Sequence, residues 1–105
     1  MAAYIVATVT IHDTDKFAEY GKRIAGLSER HGGEYLLRGA VAEVLEGRVT
    51  PGERVVVSRF PTADAARGYL ASPDYQAAVQ LRAGAADVVM RLIIDPAGQI
   101  HRTPL

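Results

Sequence analysis

Hydrophobic and polar residues alternate cleanly at the start of the chain. In AYIVATVTI, residues 3–11, Ile5, Ala7, Val9 and Ile11 fall on one face and Tyr4, Val6, Thr8 and Thr10 on the other. Period-two alternation rich in β-branched residues predicts a strand. HDTD ends it, and Asp13 or Thr14 supplies a helix cap. The spacing of Phe17, Tyr20, Ile24 and Leu27 predicts a helix from Asp15 to His31, stopped by Gly32-Gly33. Residues 34–47, EYLLRGAVAEVLEG, read as a long strand interrupted at Gly39, or as two short strands with a bulge there. Pro51-Gly52 marks a reversal, and RVVVSRF at 54–60 is the most strand-like run in the chain.

The second half repeats the order. Thr62 caps a helix whose inner stripe holds Ala66, Tyr69 and Leu70. Ser72-Pro73 then falls in the middle of a helical pattern. A serine suits the N-cap and a proline the first helical position, so one helix ends near Ala71 and another starts at once. Its face carries Tyr75, Ala78, Val79 and Arg82, and Gly84 ends it. DVVMRLIID, 87–95, is the last strand, with Val88, Met90, Leu92 and Ile94 on an apolar face. The tail 96–105 has no periodicity and is expected to be extended or disordered.

The order β-α-β-β-α-β predicts an α+β, ferredoxin-like domain over residues 1–95, an antiparallel sheet with helices on one face. Strands 1 and 4 also carry Val6, Val89 and Ile93 on the opposite face, which a monomer would leave in water. A homodimer built sheet to sheet is the expected remedy.

Composition narrows the function. The chain has 105 residues, no formal net charge and no basic block, which argues against nucleic acid as a partner. No apolar run approaches the ~18 residues of a membrane span, and the N-terminus lacks the basic start of a signal peptide. A cytoplasmic location is therefore expected. Cysteine is absent, which removes disulfides, thiol nucleophiles and thiolate metal sites. Three scattered histidines do not suggest a metal centre, and a turn plus a helix cap accounts for His12-Asp13-Thr14-Asp15. No cofactor is expected. No nucleophile elbow, phosphate loop or HExxH appears either.

Five residues are candidates for chemistry. His31, ending the first helix, is the best general base on offer; its structural alternative is a helix-end cation. Glu46 is a second candidate acid or base. Arg38, beside the expected irregularity in strand 2, is a candidate for binding, and its alternative is pairing with Glu46 or across a dimer. Tyr75 and Arg82, seven residues apart, share one face of the last helix. They would donate to a carboxylate or enolate, or else serve as a core aromatic and a salt-bridge partner.

HGGEYLLRG, EVLEG and RVVVSRFPTADAARGYLASPDYQAAVQLRAGAA together resemble the small bacterial proteins grouped as domain of unknown function 1330, within the dimeric α+β barrel superfamily. The resemblance spans about residues 3–94. It implies the fold and a homodimer but no reaction, because the wider superfamily includes cofactor-free monooxygenases, muconolactone-isomerase-like enzymes and haem-dependent relatives. The resulting expectation is a cofactor-independent enzyme of monooxygenase, isomerase or cyclase type, acting on a small, partly apolar organic molecule. The alternative is a non-catalytic dimer that binds a metabolite or a protein partner. A haem role would need His31 or another histidine as axial ligand.

Overall fold

The computed structural model describes residues 1–95; the expected tail, 96–105, lies outside them. The elements are β1 (Ala3–Ile11), α1 (Thr14–Ile24), α2 (Leu27–Arg30), β2 (Glu34–Ala40), β3 (Arg54–Phe60), α3 (Ala63–Ala71), α4 (Pro73–Leu81) and β4 (Ala86–Ile94). The four strands form one antiparallel sheet in the order β2-β3-β1-β4, so β2 and β4 are its edges. This is the ferredoxin-like α+β fold.

The alternation of β1 is obeyed residue by residue. Ala3, Ile5, Ala7 and Val9 are buried beneath the helices, whereas Tyr4, Val6 and Thr8 remain half-buried on the outer face. Phe60, Leu27, Ala66, Tyr69, Tyr75 and Ala78 complete the core with Ile5 and Tyr20.

Caps set the helix ends. Asp13 accepts from the Lys16 backbone N–H at 3.0 Å, and Thr62 does the same for Ala65 at 3.0 Å. Ser72 serves two helices. Its hydroxyl donates to the Tyr69 carbonyl at the end of α3, 2.8 Å away, and accepts from the Tyr75 N–H at the start of α4. Two helix ends meeting at one residue satisfy backbone groups that each end alone would leave orphaned.

Four expectations are corrected. The predicted helix 15–31 breaks at Ala25–Gly26, where Gly26 takes φ 76°, so α1 and α2 are separate. The break turns Leu27 and Ser28 inward, and both become buried. The predicted strand 34–47 ends at Ala40. Ala40 pairs with Arg54, the first residue of β3, so 41–53 has no partner strand beyond one Val41 N–H to Glu53 carbonyl bond. The irregularity in β2 lies between Tyr35 and Leu37 rather than at Gly39. The last helix ends at Leu81, leaving Arg82 as its C-cap.

Gly33 marks the tightest approach in the core. A Cβ there would lie 2.6 and 2.7 Å from Cε2 and Cζ of the Phe60 ring and 3.0 Å from the Ser28 carbonyl oxygen. Phe60 is itself fully buried, so the ring has nowhere to retreat. Gly33→Ala is expected to cost about 1–3 kcal/mol by overpacking. In thermal denaturation each kcal/mol lowers Tm by roughly 4–8 °C for a domain this size. An unchanged Tm would show that the Phe60 side can relax.

Candidate functional site

A cavity of about 430 Å³ lies between the helices and the sheet. Its floor comes from the central strands through Ile5, Ala7, Val9 and Val56, with Val88 and Met90 from the β4 edge. Phe17, Tyr20, Ile24, Tyr69 and Leu70 descend from α1 and α3. These walls are mostly apolar. The charged groups lining it are Arg38, Arg82 and Glu29.

Arg82 is built in by hydrogen bonds to phenols. Its Nη1 donates to Tyr20 Oη at 2.8 Å and to Tyr75 Oη at 3.0 Å. The two hydroxyls are 3.3 Å apart, and Tyr75 Oη also lies 3.7 Å from Met90 Sδ. A consistent proton order runs from Tyr20 to the Tyr75 oxygen and from Tyr75 to the sulfur, with both oxygens facing the cation. The guanidinium carbon also sits 4.8 Å from the Tyr20 ring centroid. Such cation–π contacts are worth about 0.5–1 kcal/mol at exposed sites and about 2 kcal/mol when desolvated, and the half-buried Arg82 falls between. Among the described residues Arg82 has no carboxylate within ion-pair distance; the salt bridges use His12, Lys22, Arg59 and Arg67 instead.

The electrostatics follow from burial. Desolvation raises the Tyr20 phenol far above its ordinary value, the Tyr75 hydroxyl adds to the rise, and Arg82 opposes it. Burial likewise raises Tyr69, with the Tyr35 phenol contributing. Burial works against the Arg82 charge, but hydrogen bonds from its side chain to the two phenols outweigh this and leave its pKa raised. Arg82 is therefore cationic, and Tyr20 and Tyr69 are neutral, at any physiological pH. The site offers positive charge and hydrogen-bond donors, and among the described residues no carboxylate stands within ion-pair distance of Arg82.

Arg38 reaches the cavity because of the β2 irregularity. Tyr35 pairs with Ser58 and Leu37 with Val57, so Leu36 is the extra residue. A residue inserted in this way reverses the alternation beyond it. Arg38 then pairs with Val56 and shares the helix face with Tyr35, three positions away instead of two or four. Its guanidinium carbon lies 4.4 Å from the Tyr35 ring centroid.

The structure thus brings Arg38 and Arg82 into the cavity lining and sets Tyr75 behind Arg82 in the core. His31 and Glu46 are not among the lining residues. His31 is half-buried with its ring 5.8 Å from that of Tyr69, and Glu46 is exposed in the loop 41–53. Arg38 and Glu46 do not form an ion pair. Tyr20, Tyr35 and Glu29 were missed by sequence reasoning. Tyr20 was read as part of the core stripe, and the turn at Gly26 that brings Glu29 to the cavity left no periodic signal. Among the described residues, no three His, Cys, Asp or Glu side chains are grouped to hold a metal ion. No described helix is long and apolar enough to cross a membrane.

The family model for domain of unknown function 1330 matches residues 2–95. The chain belongs to the DUF1330 family. This DUF1330 member shares its fold with a Rhodopseudomonas palustris protein of unknown function, at TM-score 0.74 and 21% identity over 88% of this chain and 80% of that one. It is also similar to a dimeric ferredoxin-like protein of unknown function from Jannaschia, at TM-score 0.71 and 14% identity over 90% and 99%. A third is SnoaB, a cofactor-independent oxygenase from Streptomyces nogalater, at TM-score 0.64 and 18% identity over 89% and 91%. No curated protein matches. At these identities the likeness is one of fold.

The raised phenols make a test of the buried network. Folded Tyr20 holds its proton above the value of the unfolded chain, about 10. Its contribution is therefore complete below about pH 10 and is lost as pH rises beyond it, by up to about 1.4 kcal/mol per pH unit. Urea midpoints measured from pH 8 to 11 should fall steeply for the native chain and less steeply for Tyr20→Phe. Parallel curves would place the Tyr20 hydroxyl in contact with water.

Proposed function

We propose that this protein is a homodimer that binds a small, partly apolar organic anion in the cavity between helices and sheet. In this reading it acts on that molecule without a cofactor, in chemistry of the monooxygenase, isomerase or cyclase type. The observation that carries the reading is Arg82, held by two phenols with no carboxylate at ion-pair distance among the described residues, in a cavity with mostly apolar walls. Donors fixed before the ligand arrives need no reorganisation when negative charge develops on it. In surroundings poor in water their effect is greater than in solution. A carboxylate, phenolate or enolate oxygen meets these requirements, and its carbon skeleton fits the floor of Ile5, Ala7 and Val56.

SnoaB lends support of a limited kind: a protein of this fold, at 18% identity, is a cofactor-independent oxygenase. Proton abstraction falls to Glu29 in this reading, the carboxylate among the lining residues. The absence of His31 and Glu46 from that lining favours a second reading, a dimer that binds the same class of anion without transforming it. Both readings require Arg82.

The test compares 2-naphthoate with the neutral 2-naphthamide by calorimetry. The acid should bind the native protein about tenfold or more tightly than the amide, as expected for a charge-assisted hydrogen bond of about 1.5–3 kcal/mol. Arg82→Met should remove the difference. Equal affinities for acid and amide in the native protein would overturn the anion reading.

The dimer part of the proposal rests on the outer sheet face. Val6, Val55 and Val57 are half-buried there, while Leu37, Val89 and Ile93 are exposed. All lie on strands with no described helix packed across that face, where the loop residues Arg48 to Pro51 share a pocket with Thr8 and Arg91. Two such faces bury each other more cheaply than water covers either. The Jannaschia relative of the same fold is dimeric. The Val57→Glu, Val89→Glu double variant should sediment as a monomer, while the native chain and the helix-surface variant Ala77→Glu sediment as dimers. A double variant that remains dimeric would move the interface elsewhere.

A further inference from the structure

Sheet register places the two unpaired arginines of the cavity on opposite sides of its floor. Arg38 stands on β2, one edge of the sheet, and is paired with Val56. Val56 is paired with Ala7, and Ala7 with Met90 on β4, the other edge. Arg38, Val56, Ala7 and Met90 are thus one row across all four strands, and all four line the cavity. Met90 is the residue whose sulfur meets the Tyr75 hydroxyl, and that hydroxyl accepts from Arg82. The row therefore begins at one guanidinium and ends beneath the other, with apolar side chains between. Neighbouring strands lie about 4.8 Å apart, so the edge backbones are about 14 Å apart.

Neither arginine is neutralised. Among the described residues, Arg38 and Arg82 have no carboxylate within ion-pair distance, although Glu29 lines the same cavity. Arg38 lies over the Tyr35 ring, and Arg82 over the Tyr20 ring. Aromatic faces orient a guanidinium while leaving its N–H groups free for an anion.

We infer that the ligand is an elongated organic molecule with an anionic group at each end and an apolar middle, a dicarboxylate in its simplest form. One carboxylate binds Arg38 and the other binds Arg82, while the spacer covers Val56 and Ala7. This deepens the reading of an anion held at Arg82 and rests on it.

The probes are the straight-chain dicarboxylates from succinate to sebacate, each compared with the monocarboxylate of equal carbon number. Calorimetry on the full chain should show a diacid advantage of about tenfold or more at one intermediate length, set by the span between the arginines. Arg38→Met should reduce that diacid to monoacid affinity. Arg82→Lys, which keeps the charge, should retain part of the advantage. Affinity that climbs steadily with carbon number, equally for diacids and monoacids, would overturn the two-ended ligand. If 2-naphthoate still depends on Arg82 in that case, the one-ended anion reading stands and this inference alone fails. If no carboxylate of either series binds and naphthoate shows no preference over its amide, both fall.

Discussion

A half-buried cation with no counter-ion among the described residues is the constraint around which this cavity is arranged. Arg82 lies partly withdrawn from water, and moving a guanidinium out of solvent is costly unless its donors are met. Tyr20 from α1 and Tyr75 from α4 meet them with phenol oxygens at 2.8 and 3.0 Å. Two separate helices and, through Met90, the edge strand β4 are thereby tied to one charge. Phenols satisfy the hydrogen bonds without cancelling the positive potential. A carboxylate in their place would have stabilised the pair and left nothing for a ligand.

The aromatic core gives this arrangement its rigidity. Rings pack in sequence from Phe17 to Tyr20, Tyr75, Tyr69 and Phe60, with centroid separations of 4.9–6.5 Å. Pairs of this kind contribute about 0.5–1.5 kcal/mol beyond the area they bury. They also restrict each ring to one orientation, which fixes where the hydroxyls point. Ser72 acts at the same place from the backbone side. By capping both α3 and α4 it sets the angle between them, and Tyr75 follows as the third residue of α4. The Ser72-Pro73 break is thus a joint between helices, and it carries the hydroxyl that meets Arg82.

The β2 edge shows the same economy in a strand. An extra residue at Leu36 costs one position of regular pairing and reverses the facing of everything after it. Arg38 gains the cavity, while Leu37 is turned to the outer face beside Val57. A single irregularity therefore adds a cation to the inner site and an apolar side chain to the surface assigned to the dimer.

Local chemistry alone specified much of this molecule. Alternation in β1, the β-branched run of β3, the caps at Thr62 and Ser72 and the overall βαββαβ order depend on periods of two and 3.6 and on single side chains near their own backbone. Those properties are written along the chain. The separation between a strand and a loop at 41–47 was not, because it depends on whether a partner strand lies alongside, and β3 begins only at Arg54. The break at Gly26 was hidden by a helical stripe that continues through it. The place of the β2 bulge is a property of its pairing with β3, so Gly39 attracted the reading although Leu36 carries the irregularity. Of the candidate residues, Tyr75 and Arg82 were legible as a pair because seven positions return to one helix face. Tyr20, 55 residues from Tyr75, joins them through tertiary packing alone. No pattern along a chain records which side chains meet once distant segments fold together, and it is that meeting which leaves Arg82 with phenols in place of a carboxylate.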